Sequence, residues 1–77
     1  MTERLPRVTA REVIRVLERR GFLLGRSSGS HHIFRNTAGK RVTIPVHAGS
    51  TLHPKVLQSI IRDAGLTVEE LNEELGR

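Results

Sequence analysis

The chain is 77 residues long, carries a net charge of +5 and contains no cysteine. That length makes one small domain, expected to span residues 1–77, which buries only about 60% of its unfolded surface and gains stability from a partner. Disulfides and thiolate zinc sites are excluded, and without a ~18-residue apolar run or a signal-peptide core the expectation is a soluble cytoplasmic protein with no membrane contact.

Val8-Thr9-Ala10-Arg11-Glu12-Val13 reads as a helix start, with Thr9 as N-cap, Glu12 closing a capping box and Val8 stapling onto Val13. Val13, Ile14, Val16 and Leu17 form the apolar stripe of this helix. Arg11, Arg15 and Arg19 recur at four-residue spacing on the opposite side. Gly21 is the expected stop. Phe22-Leu23-Leu24 starts a short strand, and Gly25 to Ser30 reads as a flexible, turn-rich loop.

His31 to Asn36 is the second expected strand, followed by a hairpin loop at Thr37-Ala38-Gly39-Lys40. Arg41 to Val46 alternates as a third strand with Val42, Ile44 and Val46 inward, and Pro45 places it at an edge or ends it. After a loop from His47 to His53, Pro54 opens a second helix whose apolar face is Val56, Leu57, Ile60, Ile61 and Ala64. Gly65 ends it. Thr67-Val68-Glu69-Glu70 is a second capping box that opens a short acidic helix, with Val68, Leu71 and Leu75 inward. The order α-β-β-β-α-α predicts an α+β fold, with helices on one face of a three-stranded antiparallel sheet. The expected core holds Val13, Leu17, Phe22, Ile33 or Phe34, Val42, Ile44, Leu57, Ile60 and Ile61.

Charge is distributed unevenly along these elements. Residues 1–41 carry a net of +7, and residues 66–77 a net of −3. From Arg19 through Arg62, both included, there are eight Lys or Arg, all four histidines, and no Asp or Glu. Such a basic stretch suits an anionic partner, nucleic acid above all. It is poorly equipped for two-metal catalysis, which needs carboxylates to hold hard cations. A zinc site of histidines alone is also disfavoured, because His31 and His32 alternate across a strand and lack the usual local ligand spacing. No metal and no cofactor are therefore expected. Only Phe22 and Phe34 are aromatic. Both are expected in the core, which leaves no aromatic platform for bases and favours recognition by shape and backbone.

Gly29-Ser30-His31-His32-Ile33-Phe34, Val42-Thr43-Ile44-Pro45-Val46-His47 and the run from Pro54 to Ala64-Gly65-Leu66 together resemble the HicA family, the mRNA-cutting toxins of HicA–HicB toxin–antitoxin pairs. The resemblance covers nearly the whole chain. It implies a double-stranded-RNA-binding-like fold, endoribonuclease (mRNA interferase) activity without metal, one essential histidine and a cognate HicB-like antitoxin. By position in Gly-Ser-His, that histidine is His31.

Chemistry agrees with such a role. Imidazole titrates near neutrality, and RNA carries its own nucleophile in the 2′-hydroxyl. Cleavage then needs proton transfer and phosphate stabilisation, which a histidine beside a Gly/Ser loop can supply. His32 is an accessory acid or the catalytic residue itself, and His47 and Ser30 are accessory candidates. His53 reads as a neighbour of the helix cap. Arg26, Lys40, Arg41 and Lys55, in loops or at element ends, are expected to contact RNA phosphates, as are Arg11 and Arg15 on the first helix. A non-catalytic double-stranded-RNA-binding or adaptor module would share this fold and surface without chemistry at His31. A DNA-binding domain ranks last, since no helix-turn-helix spacing is present.

Overall fold

The computed structural model describes residues 5–47 and 49–76. Residues 1–4 and 77 of the expected domain, and position 48 of the loop before the second helix, lie outside the described residues. Helix α1, Ala10–Arg19, starts where Thr9 accepts from the Glu12 backbone N–H at 3.2 Å while the Glu12 carboxylate takes the Thr9 N–H at 2.9 Å. It ends as Gly21 turns left-handed (φ +90°) and Phe22 N–H donates to Leu17 O.

Three antiparallel strands follow in sequential order: β1, Leu23–Ser28; β2, His31–Arg35; and β3, Arg41–Pro45. The expected loop from Gly25 to Ser30 is mostly strand. β1 continues through Ser28 because its backbone pairs with β2, and a one-residue bulge at Gly25 absorbs the register shift between Leu24 and Arg26. Ladder hydrogen bonds outweigh the weak strand preference of Gly and Ser. The loop shrinks to Gly29-Ser30, where Gly29 (φ +58°) takes the conformation that a two-residue turn demands. The β2–β3 loop is held by Asn36, whose Oδ1 accepts from the Ala38 and Lys40 N–H groups.

The register decides which side chains meet. Phe34 pairs with Val42, and His32 with Ile44. Directly opposed residues share a face, so His32 stands on the same side as the buried Phe34, Val42 and Ile44. The open choice between Ile33 and Phe34 falls to Phe34, and Ile33 lies half-buried on the other face.

Two more helices close the core. Helix α2, Pro54–Ala64, is capped by His53, whose Nδ1 accepts from Lys55 N–H, and it ends at left-handed Gly65. Helix α3, Val68–Glu74, begins with the second capping box at Thr67 and Glu70. All nine expected core positions, with Phe34 taking the open choice, are buried in one cluster, joined by Val8, Ala10, Val16, Ala64, Leu66 and Leu71. Val46, expected inside with Val42 and Ile44, is only half-buried because β3 ends at Pro45. Both α1 and α2 approach the sheet at β3. The β1 side is left uncovered, with Leu23 72% and Leu24 53% exposed.

Helix α3 is fastened to the end of α1 by charge. Arg19 Nε meets Glu74 Oε1 at 3.0 Å, Arg20 Nε meets Glu74 Oε2 at 3.1 Å, and Arg20 reaches Glu70 at 3.7 Å. The Arg19 guanidinium, helped by Arg20, holds the Glu74 carboxyl below its ordinary value. The Thr67 N–H, then its hydroxyl and Arg20, do the same for Glu70. A carboxyl depressed in the folded state stabilises the fold above its unfolded pKa, and that contribution disappears as pH falls through the folded value. Stability measured by urea unfolding should therefore decline as pH drops below the ordinary 4.5 of these groups. The decline should be shallower in Glu74→Gln. Identical pH slopes for the two proteins would remove this clamp from the account.

Candidate functional site

Antiparallel pairing writes out the sheet face that the helices leave open, row by row. Ser28, His31 and Pro45 form one row. Arg26, Ile33 and Thr43 form the next, and Leu23, Arg35 and Arg41 the third. His31, Arg26, Arg35 and Arg41 are all exposed. No carboxylate stands in any row. Three guanidinium groups and one imidazole thus share an uncovered surface, without an internal counter-ion among the described residues.

The two neighbouring histidines are separated by this face assignment. His31 projects from the open side, directly beside the Gly29-Ser30 turn. His32 is half-buried on the helix side, with Nδ1 3.4 Å from the Ser30 carbonyl oxygen. That oxygen also accepts the Val46 N–H at 2.6 Å, which docks the end of β3 onto the turn. A carbonyl accepts only from a protonated Nδ1, a contact that would leave Nε2 as the basic nitrogen of His32. The carbonyl contact is made by His32 and not by His31, because successive residues of a strand point to opposite faces.

His47 lies past the end of β3 and lines an open cavity of about 410 Å³ with Thr9, Ala10, Arg11, Val46 and Gly49. An isolated bridge between Thr9 and Thr51, with Leu52 N–H donating to Val8 O at 2.8 Å, joins the starts of α1 and α2. Arg11, Lys55 and His47 therefore gather at the end of the domain that also carries the His31 row. Lys55 adds its charge to the positive N-terminal end of α2. Arg15 is exposed further along α1, while Arg19, the last of the stripe, is engaged with Glu74.

Lys40 goes elsewhere. Its side chain crosses the C-terminal end of α2, so close that a Cβ on Gly65 would meet Lys40 Cε and Nζ at 3.2 Å. A cation there complements the unpaired carbonyls of the helix end. The sequence reading omits Arg35, which the structure places opposite Arg41. The period of two running from His31 through Ile33 to Arg35 is the signal that would have found it. Among the described residues no three His, Asp or Glu gather as metal ligands, and no helix is long and apolar enough to cross a membrane.

Fold and site together define a small basic α+β protein with a histidine and an arginine set on one open sheet face. The sequence profile described as HicA toxin of bacterial toxin-antitoxin matches residues 10–66, from the first residue of α1 to Leu66, two residues past the end of α2. The chain belongs to this family of toxins from toxin–antitoxin systems, and membership implies a cognate antitoxin partner. None of the curated proteins compared with the chain matches it.

Proposed function

We propose that this toxin is a metal-independent endoribonuclease that cuts mRNA through His31 and is silenced by a HicB-like antitoxin. The supporting observation is the register of the sheet, which sets His31 in line with Arg26, Arg35 and Arg41 on a face free of carboxylates. RNA laid along that face presents its phosphates to the guanidinium groups, which offset charge that grows in the transition state. His31 takes the proton of a ribose 2′-hydroxyl as its oxygen attacks the adjacent phosphorus, or returns one to the departing oxygen. Arg11 and Lys55, at the same end of the domain, extend the basic track, and His47 and Ser30 flank it.

A second reading gives the proton transfer to His32. It is favoured by the Ser30 carbonyl contact, which would hold one tautomer with a basic Nε2. An antitoxin with an acidic face would complement the +5 chain and cover Arg26 to Arg41. The test of the activity is incubation of purified protein with end-labelled RNA in EDTA. Cutting is expected. Retention of intact RNA would instead identify a binding module, and cutting that EDTA abolishes would overturn the metal-free mechanism.

A further inference from the structure

At the end of the sheet remote from His31, Arg35 and Arg41 stand directly opposite each other on β2 and β3. Like charges in that position destabilise a sheet. No carboxylate among the described residues relieves them, and the loop that joins their strands is pinned by two hydrogen bonds to Asn36 Oδ1, which keeps the pair in register. Beside Arg35 an open pocket of about 300 Å³ is lined by Gly21, Leu23, Leu24, Gly25, Asn36 and Thr37. Leu23 and Leu24 are the most exposed large apolar side chains of the described residues. Leu24 opposes Phe34 and lies on the other face, whereas Leu23 stands in one row with Arg35 and Arg41. An exposed leucine on an uncovered strand, next to an arginine couple with no carboxylate, fits a ligand with both a flat apolar surface and an anion. A nucleotide of single-stranded RNA has both.

We propose that this pocket is a nucleotide subsite: an unpaired base rests on Leu23 against the Arg35 guanidinium plane, and Arg35 and Arg41 clamp a phosphate. The proposal rests on the RNA-cutting reading above and deepens it. Guanidinium planes serve as stacking surfaces for splayed bases, so the lack of Tyr and Trp in the chain does not exclude base contact. The subsite lies four residues along β2 from His31, about 13 Å at the rise of an extended strand. The base it holds therefore belongs to a nucleotide near the cut but not at it, and the pocket would bias the choice of cleavage site. Pairing removes a base from reach, so single strands are selected. An acidic protein could also neutralise two arginines, but complementing charge alone leaves the leucine pocket without a purpose.

The test is binding of a fluorescein-labelled 2′-O-methyl RNA 12-mer, which cannot supply the attacking hydroxyl, across a salt titration. Probes are the single strand, its duplex and a single strand of abasic sites. The proteins are wild type, Arg35→Ala, Arg41→Ala, Leu23→Ser, and Arg62→Ala as a control on the exposed side of α2. Each Arg35 or Arg41 change should weaken single-strand binding roughly tenfold and lower the salt slope by about 1. The Leu23 change should cost roughly tenfold, the loss of one buried apolar side chain, with the slope kept, and should cost nothing on the abasic strand. Circular dichroism melts confirm that each variant is folded. Equal affinity of these variants and wild type overturns the subsite, as does a leucine loss of the same size on duplex or abasic probe. So does unchanged RNA affinity alongside weakened binding of an acidic antitoxin. If wild type cuts RNA while the variants match it, the subsite fails alone; if wild type binds no probe, the RNA-cutting reading fails with it.

Discussion

His31→Ala is expected to lower RNA cleavage by 10²–10⁴-fold, the usual contribution of a positioned acid or base, and to relieve growth arrest on expression. His31 is exposed on the open sheet face and is not part of the core cluster, so its loss should cost less than about 0.5 kcal/mol of stability. RNA affinity, carried by the arginines, should stay near that of wild type. The comparison that decides the assignment is His32→Ala. The His32 ring is half-buried beside Ile44 and touches the Ser30 carbonyl, so its removal should lower the melting temperature more than the loss of His31. Cleavage by both variants in EDTA, normalised to the folded fraction, separates damage to the fold from damage to the chemistry. Retained activity without His31 and lost activity without His32 would move the proton transfer one residue along the strand. Full activity in both would falsify the histidine mechanism.

The largest loss of stability is expected from Ile44→Ala. Ile44 is fully buried on β3, the strand that both α1 and α2 approach. Its removal strips contacts from the sheet and the helices together, and leaves a cavity beside His32. Such truncations cost about 2–5 kcal/mol, against a total on the order of 4–12 kcal/mol for a chain of this length. Unfolding midpoints should therefore fall by roughly 10 °C or more. Thr43→Ala, one residue away on the exposed face, should cost less than about 1 kcal/mol. Equal losses at the two positions would show that the sheet face has been misassigned. A matching antitoxin should restore much of the Ile44→Ala melting temperature, since binding to the folded state alone adds to its stability.

What the sequence determined by itself was everything governed by local rules. Thr9 with Glu12 and Thr67 with Glu70 announce helix starts because a capping box needs only residues three apart. Gly21 and Gly65 announce stops because a left-handed residue is required there. The carboxylate-free stretch from Arg19 to Arg62 is legible as a basic, anion-facing segment before any fold is known. Tertiary structure decided what local rules leave degenerate. Ile33 and Phe34 are adjacent and both apolar, so periodicity cannot choose the inward one. Pairing with Val42 and Ile44 chooses Phe34, and in doing so sends His31 to the open face and His32 toward the helices. The same pairing extends β1 through a Gly/Ser stretch of low strand preference and brings Arg35 opposite Arg41. Packing also redirects cations that look equivalent in the sequence: Arg19 turns to Glu74, 55 residues away, and Lys40 to the end of α2. Charge and caps are properties of neighbouring residues, whereas faces and partners are properties of strands and helices brought together from distant parts of the chain.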